Sequence, residues 1–179
     1  MLILNQKEVI MISAKLEEAF NDQINKEMYS AYLYLAMKVY FQECNLEGFV
    51  NWFGVQYQEE MAHAMGMFDY LNERGGHIDL RTIDEPEVKS SEILGIFEQV
   101  LEHEEYVTSR INALCDVADE VKDRAALNFL NWYIKEQVEE EANVGGLLAK
   151  LRLIGEDKKA LLMLDNELKA RTFVQPVIG

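Results

Sequence analysis

The stretch Phe53-Gly54-Val55-Gln56-Tyr57-Gln58-Glu59-Glu60-Met61-Ala62-His63-Ala64-Met65-Gly66-Met67 decides the fold. Phe53, Tyr57, Ala64 and Met67, continued at Leu71, mark one face of a helix. That apolar stripe has one gap, between Tyr57 and Ala64, and Glu60 fills it. His63 follows three residues later on the same face. A charged side chain at a core position is strongly unfavourable unless something compensates it.

The interruption recurs in three more helical patterns. The first runs from Ala14 to Gln42 behind Ser13, a good N-cap, with the stripe Leu16, Phe20, Ile24, Ala31, Tyr34. Glu27 fills its gap. The quoted stretch belongs to the second, Leu46 to Arg74, which Gly75-Gly76 stops. The third starts after Ser90 or Ser91 and reaches Ala118. Its stripe is Ile93, Phe97, Val100, Val107, Ile111, Leu114, with Glu104 in the gap. The fourth, Glu120 to Lys150, runs through Ala126, Leu130, Tyr133, Val144, Leu147 and Leu151, with Gln137 and Glu140 between Tyr133 and Val144. Gly145-Gly146 inside it predicts a kink or a close contact, since each glycine costs about 1 kcal/mol relative to Ala. Asp157 to Lys169 forms a short amphipathic fifth helix through Leu161, Leu164 and Leu168.

The connections set the topology. Glu43-Cys44-Asn45 forces an immediate reversal, with Asn45 expected to cap the second helix. Residues 75–90 hold Pro86 and no helical period. At roughly 3.3 Å per residue they span about 50 Å, enough to return along a helix of about 42 Å. The expectation is an all-α four-helix bundle with two tight reversals, one long crossover and a short fifth C-terminal helix. Residues 1–12 read as an N-terminal extension, with Met11 as a second possible start, 13–173 as one domain and 174–179 as a tail.

Each interrupting residue lies about four turns from the end of its helix. Whichever way each helix runs, four helices therefore bring carboxylates to one level of the core. Such a cluster must share protons or hold cations. His63, in Glu-x-x-His with Glu60, favours cations, because a carboxylate can bridge two ions while the imidazole caps one. Hard carboxylates with an imidazole suit Fe(II), and the absence of thiolate ligands argues against structural zinc.

Other residues carry weaker readings. Glu59, Glu136 and Glu139 form either a third cation site or a solvated face, and Glu141 reads as solvated. Tyr34 hydrogen-bonds a ligand, or supplies an electron, or is plain core. His103 is expected to point elsewhere and be exposed, His77 to have no specific role, and Met61, Met65 and Met67 to pack.

Composition narrows the function. Among 179 residues the net charge is −15, which disfavours nucleic acid and suits a handler of cations. Two prolines leave the long patterns uninterrupted. Cys44 and Cys115 read as reduced thiols, no apolar run is long enough to span a membrane, and the expected location is cytoplasmic.

On these residues the chain resembles the non-haem ferritins of bacteria. The resemblance covers Ser13 to Phe173. It rests on Asn25-Lys26-Glu27-Met28-Tyr29-Ser30, Gln58-Glu59-Glu60-Met61-Ala62-His63, His103-Glu104-Glu105 and Phe129-Leu130-Asn131-Trp132-Tyr133-Ile134-Lys135-Glu136-Gln137-Val138-Glu139-Glu140-Glu141. It implies a ferritin-like bundle, ferroxidase activity with O2 or H2O2, and iron storage in a hollow 24-subunit shell. Site A would be Glu27, Glu60 and His63. Site B would be Glu60, Glu104 and Glu140, with Gln137 close by. Site C would be Glu59, Glu136, Glu139 and Glu140. The chain departs from bacterioferritins, which carry a second Glu-x-x-His where the fourth helix here has no histidine. Met61 matches their haem-ligating position, yet no haem is expected. Ala125 to Leu130 contains no acid, so the animal-type acidic pore is not evident. The alternatives are a bacterioferritin-type or rubrerythrin-like peroxidase, or a bundle that only buffers divalent metals.

Overall fold

The computed structural model describes residues 11–178; the expectation for residues 1–10 lies outside them. Five helices follow in order: α1 (Ala14–Glu43), α2 (Glu47–Glu73), α3 (Ile93–Glu120), α4 (Arg124–Ile154) and α5 (Lys158–Leu168). The four long ones form the bundle. α1 pairs with α2 and α3 with α4, while α1 also packs on α3 and α5 on the start of α2. No Cα atoms of α2 and α4 approach within 8 Å, so a wider gap separates that pair. Among the described residues no helix is long and apolar enough to cross a membrane.

The caps show where local sequence suffices. Ser13 Oγ accepts from Leu16 N at 3.3 Å, a cap worth about 1 kcal/mol. Asn45 does not cap α2. It takes φ 58° in the reversal, a conformation asparagine tolerates, and Leu46 becomes the N-cap without a side-chain bond. Asp165 of α5 supplies the cap from afar, its Oδ1 accepting from Gly48 N at 2.7 Å and Phe49 N at 3.2 Å. A Cβ on Gly48 would lie 1.6 Å from the Asp165 carbonyl oxygen, so only glycine permits this approach.

α3 and α4 meet later than the pattern suggests. α3 continues to Glu120, Lys122 takes φ 59°, and Asp123 starts α4 by accepting from Ala126 N at 3.0 Å. Arg74 at the end of α2 holds the same aspartate at 2.7 Å. Glu92, not a serine, is the N-cap of α3. Gly145-Gly146 lies in uninterrupted helix, and a Cβ at either meets nothing within 4 Å. The expected close contact is absent within the described residues.

Asparagine and glutamine side chains pin the crossover along the bundle. Asn21 donates to the His77 carbonyl at 2.9 Å and accepts from Asp79 N at 2.8 Å, and Asn25 donates to Thr82 O at 3.1 Å. Gln99 of α3 then holds the Glu87 carbonyl and Lys89 N. The contacts of His77 are made by its backbone and call on nothing specific to histidine.

The core falls into two apolar clusters. One joins the α1–α2 reversal to α5, around Tyr34, Phe41, Phe49, Phe53, Phe97 and Leu148. The other fills the opposite end, around Leu16, Phe20, Met67, Ile111, Leu114 and Leu130. Each fully buried side chain of this kind contributes about 1.5–3 kcal/mol. Tyr57 is only half-buried and stands outside both.

Candidate metal centre

Between the two clusters the bundle turns polar. Glu27 of α1, Glu60 and His63 of α2, Glu104 of α3, and Gln137 and Glu140 of α4 are all buried. Each occupies a core position of its stripe, so helix period alone aims it inward. Their common level follows from helices of similar length running end to end.

On the α1–α2 side, one donor atom each from Glu27, Glu60 and His63 lies within 4.8 Å of the others. His63 Nδ1 is 3.6 Å from Glu60 Oε2. Glu27 Oε1 accepts from Gln23 Nε2 at 2.8 Å. Glu27 Oε2, Glu60 Oε2 and His63 Nε2 have no hydrogen-bond partner among the described residues. A buried polar atom without a partner costs about 1–3 kcal/mol, so the free oxygens of Glu27 and Glu60 signal a site built for a guest. Burial above all, then the charges of Glu104, Glu27 and Glu140, pushes the Glu60 carboxyl well above the usual range. Tyr133 Oη donates to the His63 carbonyl at 2.8 Å, and the Trp132 ring meets the imidazole edge-on at 5.4 Å.

On the α3–α4 side the carboxylates are already engaged. Tyr34 donates to Glu104 Oε1, and Gln137 Nε2 donates to Glu104 Oε2 at 3.1 Å. Gln56 Nε2 donates to Glu140 Oε2 at 3.1 Å. Burial first and then Glu140 push Glu104 up to about 7 against these donors.

The outer acids divide. Glu136 Oε1 lies 3.8 Å from His63 Nε2, and burial raises its carboxyl. Glu59 pairs with Arg171 at 2.7 Å, yet burial outweighs that partner and lifts it to about 7. Glu139 is exposed. Glu141 is not free in solvent, because it is half-buried and accepts from Thr108 Oγ1.

His103 corrects the expectation of exposure. It is mostly covered, its Nε2 lies 2.8 Å from Ser30 Oγ, and its ring meets Tyr34 edge-on at 5.9 Å. Burial lowers its pKa to about 4, so it is neutral beside Tyr34. Met67 is fully buried, whereas Met65 is 40% exposed.

Three contributors escaped the sequence reading. Gln23 and Gln56 stand four residues before Glu27 and Glu60, one turn away on the same faces, and that spacing was a usable signal. Arg171 carried none. The assembled set of hard oxygens and one imidazole suits a redox-active divalent cation such as Fe(II).

Comparison with known proteins agrees. A family model described as a ferritin-like domain matches residues 17–154. The bacterial non-heme ferritin of Staphylococcus aureus (strain USA300) is 41% identical over 163 residues, covering 91% of this chain and 98% of that protein. That of Staphylococcus haemolyticus (strain JCSC1435) is 39% identical with the same coverage. Among solved structures, a humanized archaeal ferritin superposes with TM-score 0.90 at 55% identity, covering 91% of this chain and 99% of that one. An open pore ferritin from the hyperthermophilic archaeon Archaeoglobus fulgidus gives TM-score 0.88 at 55% identity, covering 90% and 98%.

Proposed function

This chain belongs to the ferritin family, of the bacterial non-heme kind, and from that premise we propose how its side chains handle iron. The chain is a ferroxidase-type ferritin that oxidises Fe(II) and stores the product. The first ion is held by Glu27, Glu60 and His63. The second is held by Glu60, Glu104 and Glu140, with Gln137 beside it. Glu59, Glu136, Glu139 and Glu140 hold a third, weaker one. The observation that carries this reading is the buried Glu27–Glu60–His63 set, in which one ligand atom of each lies within 4.8 Å of the others.

Glu60 stands between the two inner ions and fixes their separation. Cation charge offsets the repulsion among Glu27, Glu60, Glu104 and Glu140, so uptake displaces protons from the carboxyls with raised pKa. Each Fe(II) loses one electron. O2 accepts two electrons and two protons to leave as H2O2, or H2O2 accepts the same to leave as two waters. Tyr34, hydrogen-bonded to Glu104, positions that carboxylate. Ferric product moves into the interior of a closed shell of 24 copies and mineralises. The open pore described for the archaeal relative supports a shell, since a pore presupposes a wall.

The test is anaerobic loading with two Fe(II) per chain, then admission of air. Rapid oxygen consumption with a rising ferric absorbance is expected, in a particle that scatters as about half a megadalton. Binding without oxygen consumption would reduce the protein to a metal buffer. Scattering from a monomer or dimer would remove the shell.

A further inference from the structure

The C-terminal segment brings a cation of its own to the edge of the metal centre. Asn51 of α2 donates to the carbonyls of Leu168 at 3.0 Å and Arg171 at 2.8 Å. Those bonds fix where the chain leaves α5. From there the Arg171 guanidinium lies over the Trp52 ring, its Cζ 5.1 Å from the centroid. Its Nη2 donates to Glu59 Oε2 at 2.7 Å. Nη1 is buried and has no partner among the described residues. The two side chains are only 23% and 19% exposed, so this is not a loose surface pair.

The same opening between α2 and α4 holds a ligand position that the pair leaves unused. His63 is 2% exposed, and its unpartnered Nε2 is aimed at Glu136 Oε1, 3.8 Å away. Glu140, His63 and Glu136 are the other charged or titratable groups facing Glu59. Glu139 faces Glu136.

We propose that Arg171 is a tethered cation that competes with a third divalent ion for Glu59, so that the C-terminal segment sets the affinity of the outer carboxylate site. The proposal rests on the assignment of Glu59, Glu136, Glu139 and Glu140 as that site. A guanidinium and a divalent ion cannot both hold Glu59 Oε2. The guanidinium brings one charge spread over a plane, and the ion brings two in a compact sphere. Entry of the ion therefore requires Arg171 to swing aside. A neighbouring cavity of about 390 Å³, lined by Trp52, Asn143, Gly146 and Arg171, gives it room. When the ion departs, the guanidinium returns, and Glu59 is never left buried without a counter-charge. An outer ion opposed in this way is held more loosely than the inner two and is released readily toward the mineral.

Calorimetric titration of the assembled protein with Zn(II), a redox-inert probe, tests this. Arg171→Gln keeps the length and loses the charge. It should tighten the weakest class of sites on the order of fivefold, the size of a partly covered ion pair, and leave the two tighter classes unmoved. Arg171→Lys keeps the charge but not the planar stack on Trp52, so it should tighten that class less than Arg171→Gln does. Arg171→Gln should have no effect in a Glu59→Gln background. If Glu59→Gln abolishes the weakest class but Arg171→Gln leaves it unchanged or looser, Arg171 is no competitor and the site stands without it. A third ion bound only by the Arg171→Gln protein supports the proposal most directly, because it shows the site masked. If neither protein binds a third ion, the site and the proposal fall together. Should the variant not assemble, crystals of the parent protein soaked in Zn(II) decide. An ion on Glu59 must coincide with a displaced Arg171, and an ion beside an intact Arg171–Glu59 pair overturns the proposal.

Discussion

The two sides of the metal centre share burial and charge, yet differ in readiness. On the α1–α2 side, Glu27, Glu60 and His63 each keep an atom without a partner. On the α3–α4 side, Tyr34, Gln137 and Gln56 already engage Glu104 and Glu140. A cation entering the first side gains new bonds and breaks none. One entering the second competes with hydrogen bonds worth about 1 kcal/mol or more each. Equal burial thus yields unequal sites, and the difference lies in the neighbours rather than in the ligands.

Removing Glu60, the ligand proposed to serve both sides, should have the largest effect. Glu60→Ala takes a carboxylate from both sides and should slow rapid Fe(II) oxidation about a hundredfold, since even groups behind metal ligands are worth tenfold to a hundredfold. Glu59→Ala should slow it far less. Stopped-flow rates equal to those of the parent protein for Glu60→Ala would end the assignment of Glu60 to both sites.

Next in size is the pH dependence of metal-free stability. Glu104 is pushed up to about 7 from 4.5 by burial and then by Glu140. The folded state therefore binds more protons than the unfolded chain between those values. Stability must fall as pH rises, beginning near 4.5 and levelling above about 7. The loss should be about 3 kcal/mol. Glu104→Gln should flatten this slope, raise the metal-free melting temperature near neutral pH and shrink the rise that metal produces. A variant that melts lower than the parent without metal would mean that Glu104 is not strained.

A smaller effect sharpens the contrast itself. At limiting Zn(II), crystals should show density at Glu27, Glu60 and His63 before density at Glu104 and Glu140. Displacing one net hydrogen bond corresponds to an affinity gap of about tenfold. Simultaneous filling of both positions would erase the distinction drawn from partners.

The smallest change concerns Tyr34. Tyr34→Phe frees Glu104 Oε1, so oxidation should slow only about threefold, from loss of roughly one hydrogen bond. Zn(II) affinity at the Glu27–Glu60–His63 set should not move. A loss of affinity there would show that the two sides are coupled through the core.

Much of this architecture was legible because helix period is a local property. Stripes such as Leu16, Phe20 and Ile24 are written at fixed spacing, and so are their interruptions at Glu27, Glu60, Glu104 and Glu140. Any residue that breaks a core stripe points into the core, so the buried acids and their common level could be read directly. Helix ends were less legible. Asn45 looked like a cap and became a left-handed turn residue, because Asp165, distant in sequence, already served the free N–H groups of α2.

What the amino-acid sequence determined alone is therefore the bundle, its crossover and the set of inward carboxylates with His63. Only the tertiary structure decided which oxygens stay free, that Gln56 reaches Glu140 across the gap between α2 and α4, and that His103 is covered beside Tyr34. It alone placed Arg171 on Glu59. The reason is physical. Periodicity specifies the face a side chain occupies, whereas a hydrogen-bond or ion-pair partner is selected within about 3 Å by segments far apart along the chain.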